Sequence, residues 1–166
     1  MSSAFLTLGG NVAPRQQYLR KALQALQEIT IITSIAPLYE SEAYGERDQP
    51  AFLNSAVLLQ TDASPRELLA ILKEIEAKIG RKQRYRWGPR EIDLDIIFYD
   101  QQIVSEHALQ IPHPDFRNRR FVLQPLVDLN PDFSAPDTHQ TLQQLLDACP
   151  DQSQLRLINA NWYTAS

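Results

Sequence analysis

The chain has 166 residues, enough for one domain with a sizeable core, and its 43% hydrophobic and 22% charged content excludes disordered and collagen-like classes. The 16 Lys and Arg against 20 Asp and Glu give a formal charge of −4, which excludes a generally cationic surface built for duplex nucleic acid. The single cysteine, Cys149, has no internal disulfide partner, the N-terminus lacks a signal peptide's basic start, and no segment approaches the roughly 20 apolar residues of a membrane span. A cytoplasmic protein is expected.

Ala4–Leu8 reads as a first strand and Gly9-Gly10-Asn11 as the turn after it, because these residue types tolerate positive φ. Pro14 suits the first position of a helix whose apolar stripe is Leu19, Ala22, Leu23, Leu26 and Ile29. The glycines do not make a phosphate loop, since the G-x-x-x-x-G-K-[ST] spacing and its lysine are missing. Thr30–Ala36 is rich in β-branched residues and predicts a second strand, with Pro37 near an edge or bend. Glu40 to Pro50 is polar and punctuated by Gly45 and Pro50, so it is either a loop that closes over a ligand or a solvated connector. Phe52–Gln60 is the third strand, with Phe52, Asn54 and Ala56 on one face and Leu53, Ser55 and Val57 on the other. The aromatic and amide fit either a core edge or the wall of a pocket for a flat polar ring.

Ser64-Pro65-Arg66-Glu67 combines a capping serine, a first-turn proline and a capping-box glutamate. A second helix therefore starts there, buries Leu68, Leu72, Ile75 and Ile79, and ends at Gly80. It delivers the chain into a basic loop: Arg81, Lys82, Arg84, Arg86 and Arg90 are cations with no acid among them until Glu91. Trp87-Gly88-Pro89 within it is a packed hinge or a pinned turn. Asp93 and Asp95 then open the apolar run Ile96–Tyr99, which reads as a buried strand. Side chains alternate, so both carboxylates share one face with Cα atoms roughly 6.5–7 Å apart. An isolated Asp-x-Asp is usually an ion-paired strand end. Beside a cationic loop it equally suits a hard divalent cation such as Mg²⁺, and that combination is equipment for holding a polyphosphate.

Ile103-Val104 predicts a short strand, and the prolines of Ile111-Pro-His-Pro-Asp115 hold that segment extended and fix the direction of His113. Asp115 is a candidate cap for a short helix carrying Arg117, Arg119, Arg120 and Phe121, a second basic cluster. Pro125 and Pro131 break the chain beyond it; Leu142, Leu145 and Leu146 suggest a small helix and Leu155–Ile158 a last strand. The order predicts a ferredoxin-like α+β fold, a βαββαβ sandwich with two helices on one face of a mostly antiparallel sheet, C-terminal additions, and a single domain over 1–166.

Arg86-Trp-Gly-Pro-Arg-Glu-Ile-Asp-Leu-Asp95, with Asp48-Gln-Pro-Ala-Phe-Leu-Asn54 before it and Ile111-Pro-His-Pro-Asp-Phe-Arg-Asn-Arg119 after it, closely resembles the 6-hydroxymethyl-7,8-dihydropterin pyrophosphokinase family of folate biosynthesis. The resemblance runs from the first strand to about Asp132. It implies transfer of pyrophosphate from ATP to the pterin hydroxymethyl oxygen with release of AMP. It further implies that Asp93 and Asp95 bind two Mg²⁺ ions bridging the ATP phosphates, and that Arg81, Arg84 and Arg90 contact phosphate. Arg81 and Arg90 join the aspartates as catalytic residues, and His113 and Arg119 complete the nucleotide site. Asn54 is then the pterin's hydrogen-bonding partner and Phe52 and Phe121 its stacking partners, with Ser41, Tyr44 and the loop tryptophan Trp87 in the same pocket. No general base is assigned. Gly10, Ser41 and Phe52 replace the more usual serine, threonine and tyrosine of the family, and Ala108 and Arg120 also depart from its pattern. ATP and the pterin are the expected partners, with neither nucleic acid nor membrane, and a monomer is expected. Two rivals remain at this point: a ferredoxin-like RNA-binding module, which leaves Asp93 and Asp95 unexplained because they repel phosphate without metal, and a relative of the same fold with altered or lost activity.

Overall fold

The computed structural model describes residues 1–43 and 48–165. β1 (Ser2–Gly10) is followed by α1 (Arg15–Ile29), β2 (Ile31–Ile35), β3 (Leu38–Ser41), β4 (Phe52–Thr61), α2 (Pro65–Ile79) and β5 (Asp93–Tyr99). A small hairpin of β6 (Val104–Ser105) and β7 (Gln110–Ile111) comes next, then α3 (Arg120–Leu129), α4 (Leu142–Asp147) and β8 (Leu155–Asn159). The main sheet runs β5-β1-β4-β3-β8, with β2 pairing farther along β4, and the pairs within it are antiparallel. A helix in each crossover, with β4 and β1 between the strands those helices connect, is the split βαβ plan.

Each face of the sheet carries its own core. Leu19, Ala22, Leu23 and Leu26 of α1 and Leu68, Leu72 and Ile75 of α2 pack on Leu6, Leu8, Leu53 and Val57 on one face. On the other, Val122, Leu123 and Leu126 of α3 and Leu142 and Leu145 of α4 pack on Phe5, Ala56 and Phe98. Each fully buried leucine contributes about 1.5–3 kcal/mol. The C-terminal additions thus cover the face that α1 and α2 leave open. Ile29 departs from the expected stripe: it ends α1 and is 54% exposed.

Several boundaries differ from the sequence expectations for local reasons. Gly9 and Gly10 are the last residues of β1 rather than a turn. A Cβ on Gly10 would lie 2.4 Å from the Glu91 carbonyl oxygen, so close backbone approach is what requires glycine there. β3 carries Glu40 and Ser41 into the stretch read as loop, because Arg15 and Arg156, each 2.8 Å away, neutralise Glu40. The short strand begins at Val104, leaving Ile103 exposed. Pro125 lies inside α3 and is buried, at the loss of one ladder hydrogen bond. Asp115 does stand at the N-terminal end of a short 3₁₀ helix, Phe116–Asn118, but its side chain makes no capping bond; its carboxylate sits 3.5 Å from Arg119 Nη2. Among the described residues no helix is long and apolar enough to cross a membrane.

Candidate active site

β1, β4 and β5 end side by side, with Gly9 opposite Asn54 on one flank and opposite Asp93 on the other. Their alternation sends Thr7, Asn54, Asp93 and Asp95 to the α3 face, where they line a cavity. Ser41 from the end of β3, Phe52 from β4 and Phe121 and Val122 from α3 close its apolar side, and Trp87, Arg90, His113 and Arg119 close the other. Asn54 is buried and its Nδ2 donates to Ser41 Oγ at 2.8 Å. A Cβ on Gly9 would stand 3.3 Å from Asn54 Oδ1, so glycine leaves that oxygen room. A β-bulge completes the wall: Leu6 pairs with Ile96 and Phe5 with Phe98, leaving Ile97 as the extra residue. Its carbonyl accepts from the His113 backbone N–H at 3.2 Å, which sets the histidine at the cavity edge.

The carboxylates differ in environment. Asp93 has Arg90 Nη1 at 3.0 Å and Arg81 Nη1 at 3.4 Å. The carboxyl of Asp95 is pushed up to about 7 by burial and then by the negative charges of Asp93 and Glu76. His113 is held below its ordinary value by burial and by Arg119, so it is neutral near pH 7 and serves as a hydrogen-bonding group.

Ten of the sequence-predicted residues therefore line one cavity: Ser41, Phe52, Asn54, Trp87, Arg90, Asp93, Asp95, His113, Arg119 and Phe121. Arg81 and Arg84 do not. They line a neighbouring cationic recess with Lys73, Lys82 and Arg90. Arg84 makes a two-pronged ion pair with buried Glu91, its Nη1 and Nη2 donating at 2.8 and 2.9 Å. Tyr44 lies outside the described residues. In the second basic cluster the arginines divide: Arg117 binds Asp137, Arg120 donates to the Ser153 carbonyl, and Arg119 faces the cavity with its guanidinium 5.6 Å from the Trp87 ring centre.

Sequence reasoning missed the residues that anchor the loops. Asn11 is 1% exposed and binds Arg90 at both backbone groups, its own N–H donating to the Arg90 carbonyl and its Oδ1 accepting from the Arg90 N–H. Its Nδ2 donates to Gln49 Oε1 at 2.8 Å, and Gln49 Nε2 donates to the Trp87 carbonyl at 2.6 Å. The two loops are thus tied to each other and to β1. Trp87 adopts φ 66°, a left-handed conformation uncommon for a bulky residue. Glu76, the other missed group, had a signal: an acid four residues after Leu72 on the apolar stripe of α2, in the last turn, where the helix dipole disfavours negative charge.

A second cavity adjoins the first and shares Asp95 and His113 with it. Lys73, Leu94, Ile96, His107 and Leu109 line it on the far side. The two recesses meet at a carboxylate, one aromatic with an amide and the other apolar with a lysine. A sequence model of the family described as 7,8-dihydro-6-hydroxymethylpterin-pyrophosphokinase (HPPK) matches residues 5–131, and the chain belongs to this family. The chain is 38% identical to the 2-amino-4-hydroxy-6-hydroxymethyldihydropteridine pyrophosphokinase of Aquifex aeolicus, covering 87% of this chain and 90% of that one. It is 39% identical to the protein of the same name from Pseudomonas aeruginosa, over 94% and 97%. The crystal structure of Plasmodium falciparum HPPK-DHPS with pterin and p-hydroxybenzoate superposes with a TM-score of 0.72 over 89% of this chain at 17% identity, a likeness of fold. The chain spans 41% of that protein's length.

Proposed function

We propose that this chain is a single-domain enzyme, over 1–166, that transfers pyrophosphate from ATP to the hydroxymethyl oxygen of 6-hydroxymethyl-7,8-dihydropterin in folate biosynthesis. The junction of the two cavities at Asp95 and His113 carries this reading. The aromatic cavity suits the pterin: Phe52 and Phe121 offer ring faces and Asn54 an in-plane donor and acceptor. The other recess suits the nucleoside, and its phosphates would then run past Asp95 and Asp93 toward Arg81, which pairs with Asp93, and toward Arg90 and Arg119 at the edge of the first cavity.

The hydroxymethyl oxygen attacks the β-phosphorus, the bond from that phosphorus to the oxygen bridging to the α-phosphate breaks, AMP departs, and the hydroxyl proton is lost to solvent. Attack on a polyanion is limited by charge and alignment. Arg90, fixed through its backbone by Asn11, and Arg81 supply charge where it develops, while the pocket aims the hydroxyl. Asp93 and Asp95 fit Mg²⁺: both are hard oxygen donors, and the raised carboxyl of Asp95 marks a position in need of a cation. Two carboxylates would hold the ion while leaving room on it for phosphate oxygens and water. Held by Asp93 and Asp95, Mg²⁺ would supply charge neutralisation at the phosphates and Lewis-acid polarisation of the reacting phosphorus. A cytoplasmic monomer belongs to the same reading, and the lone, buried Cys149, a free thiol, suits a reducing compartment.

The test is simultaneous occupancy. Titrating the pterin into protein saturated with Mg²⁺ and α,β-methylene-ATP is expected to fill one pterin site per chain; mutual exclusion of the two ligands contradicts the reading.

A further inference from the structure

Glu76 is a carboxyl side chain only 2% exposed, and it has no part in the chemistry above. Both carboxylate oxygens are engaged. Oε2 accepts from the backbone N–H of Leu94 at 2.8 Å. Oε1 accepts from Arg81 Nη1 at 3.0 Å and lies 3.4 Å from Lys73 Nζ. The Glu76 backbone carbonyl also accepts from the Arg81 N–H at 3.0 Å. Leu94 stands between Asp93 and Asp95, so its bond fixes the backbone from which both carboxylates project. The same Arg81 nitrogen lies 3.4 Å from Asp93 Oδ1, so the guanidinium is held between Glu76 and Asp93. Lys73 and Asp95 both line the second cavity.

Fold stability does not account for this choice. A carboxylate in the last turn of a helix opposes the dipole, and a buried one is disfavoured relative to an apolar side chain of similar size. On α2, Leu68, Leu72 and Ile75 already supply the buried stripe. What a carboxylate alone provides is a rigid acceptor that reaches the strand backbone, the arginine and the lysine together.

We infer that Glu76 is a positioning residue: it holds Arg81 beside Asp93 and sets the Asp93–Asp95 backbone, acting on the nucleotide phosphates through those groups without touching them. The inference rests on the proposed function for the identity of the ligand. Glu76→Gln keeps an oxygen for the Leu94 N–H and removes the charge that holds Arg81. Its affinity for α,β-methylene-ATP with Mg²⁺, read by calorimetry, is expected to fall about 10–100-fold, as for other groups that orient a site from behind. Pterin affinity, read in the absence of nucleotide, is expected to stay within about twofold, and the Gln substitution is expected to cost about twofold or less once Arg81→Met is present. Nucleotide affinity within about twofold of the parent, equal costs in both backgrounds, or pterin affinity falling in step overturns the inference. AMP formation by the parent is read separately. A parent that binds the nucleotide but makes no AMP sinks the proposed function, while the binding cycle still decides Glu76; a parent that binds no nucleotide overturns both.

Discussion

Asp95 shows how one residue combines poor stability with a site's chemical need. Its carboxyl, pushed up to about 7 by burial and by Asp93, works against the folded state when ionised. Asp95→Asn is therefore expected to lower AMP formation more than about 100-fold while the thermal midpoint holds or rises; turnover near the parent's would remove Asp95 from the reaction. Asn54 is the corresponding test on the pterin side. Asn54→Ala loses the Ser41 bond and the ring's partner, and should weaken pterin binding by about 1–3 kcal/mol in a fluorescence titration, with nucleotide affinity little changed. What was legible locally was placement, two carboxylates spaced for one strand face and an amide on the same face as Phe52; the alternation left core edge and pocket wall both open for Asn54, and its pterin role came only from the family resemblance. Asn11 and Gln49 were not legible, because their roles depend on chain segments that meet only in the fold; Glu76 left a trace as an acid on an apolar stripe, but its partners on the loop and on β5 did not.

At the scale of elements, the basic loop is a pinned structure. Glu91 sits at its end with its carboxyl lowered to about 2 from an ordinary 4.5, first through Arg84, and it also accepts from the Lys82 N–H. A carboxyl lowered by folding contributes stability that is present above its unfolded value and lost as pH falls through its folded value. The thermal midpoint of the parent is expected to drop between about pH 4.5 and pH 2, and Glu91→Gln to flatten that part of the profile; equal pH profiles for the two proteins would deny the pin. The sequence showed the loop's charge and its two anchors. It did not show that Arg84 is spent on Glu91, since an arginine aimed at phosphate and one aimed at a neighbouring glutamate share the same spacing. β3 was hidden for a related reason: Glu40 looks like loop until Arg15 and Arg156 reach it from α1 and β8.

Across the molecule, the site exists because the sheet is covered on both faces. α1 and α2 support β1, β4 and β5 from behind, and α3 faces them across the cavity with Phe121 and Val122. Tyr39 on β3 ties that helix to the sheet through Asp128, and burial with that partner raises its hydroxyl's value. The apolar stripes of α1 and α2, the capping box of α2 and the apolar run of β5 made the βαββαβ plan readable; the second layer was less so, because Pro125 and Pro131 suggested broken chain where α3 forms. The C-terminal tail closes the other side. Trp162 is 1% exposed and its Nε1 donates to the Ala36 carbonyl at 2.9 Å. Trp162→Ala is expected to cost about 3–5 kcal/mol in urea unfolding, and a loss under about 1 kcal/mol would mean that the tail is not part of the core.

The most direct measurement incubates the protein with ATP, Mg²⁺ and 6-hydroxymethyl-7,8-dihydropterin and identifies the nucleotide product by chromatography. The two-cavity account predicts AMP and pterin diphosphate in equal amounts, both abolished by removing either substrate. ADP in place of AMP, or no pterin-dependent product, contradicts it.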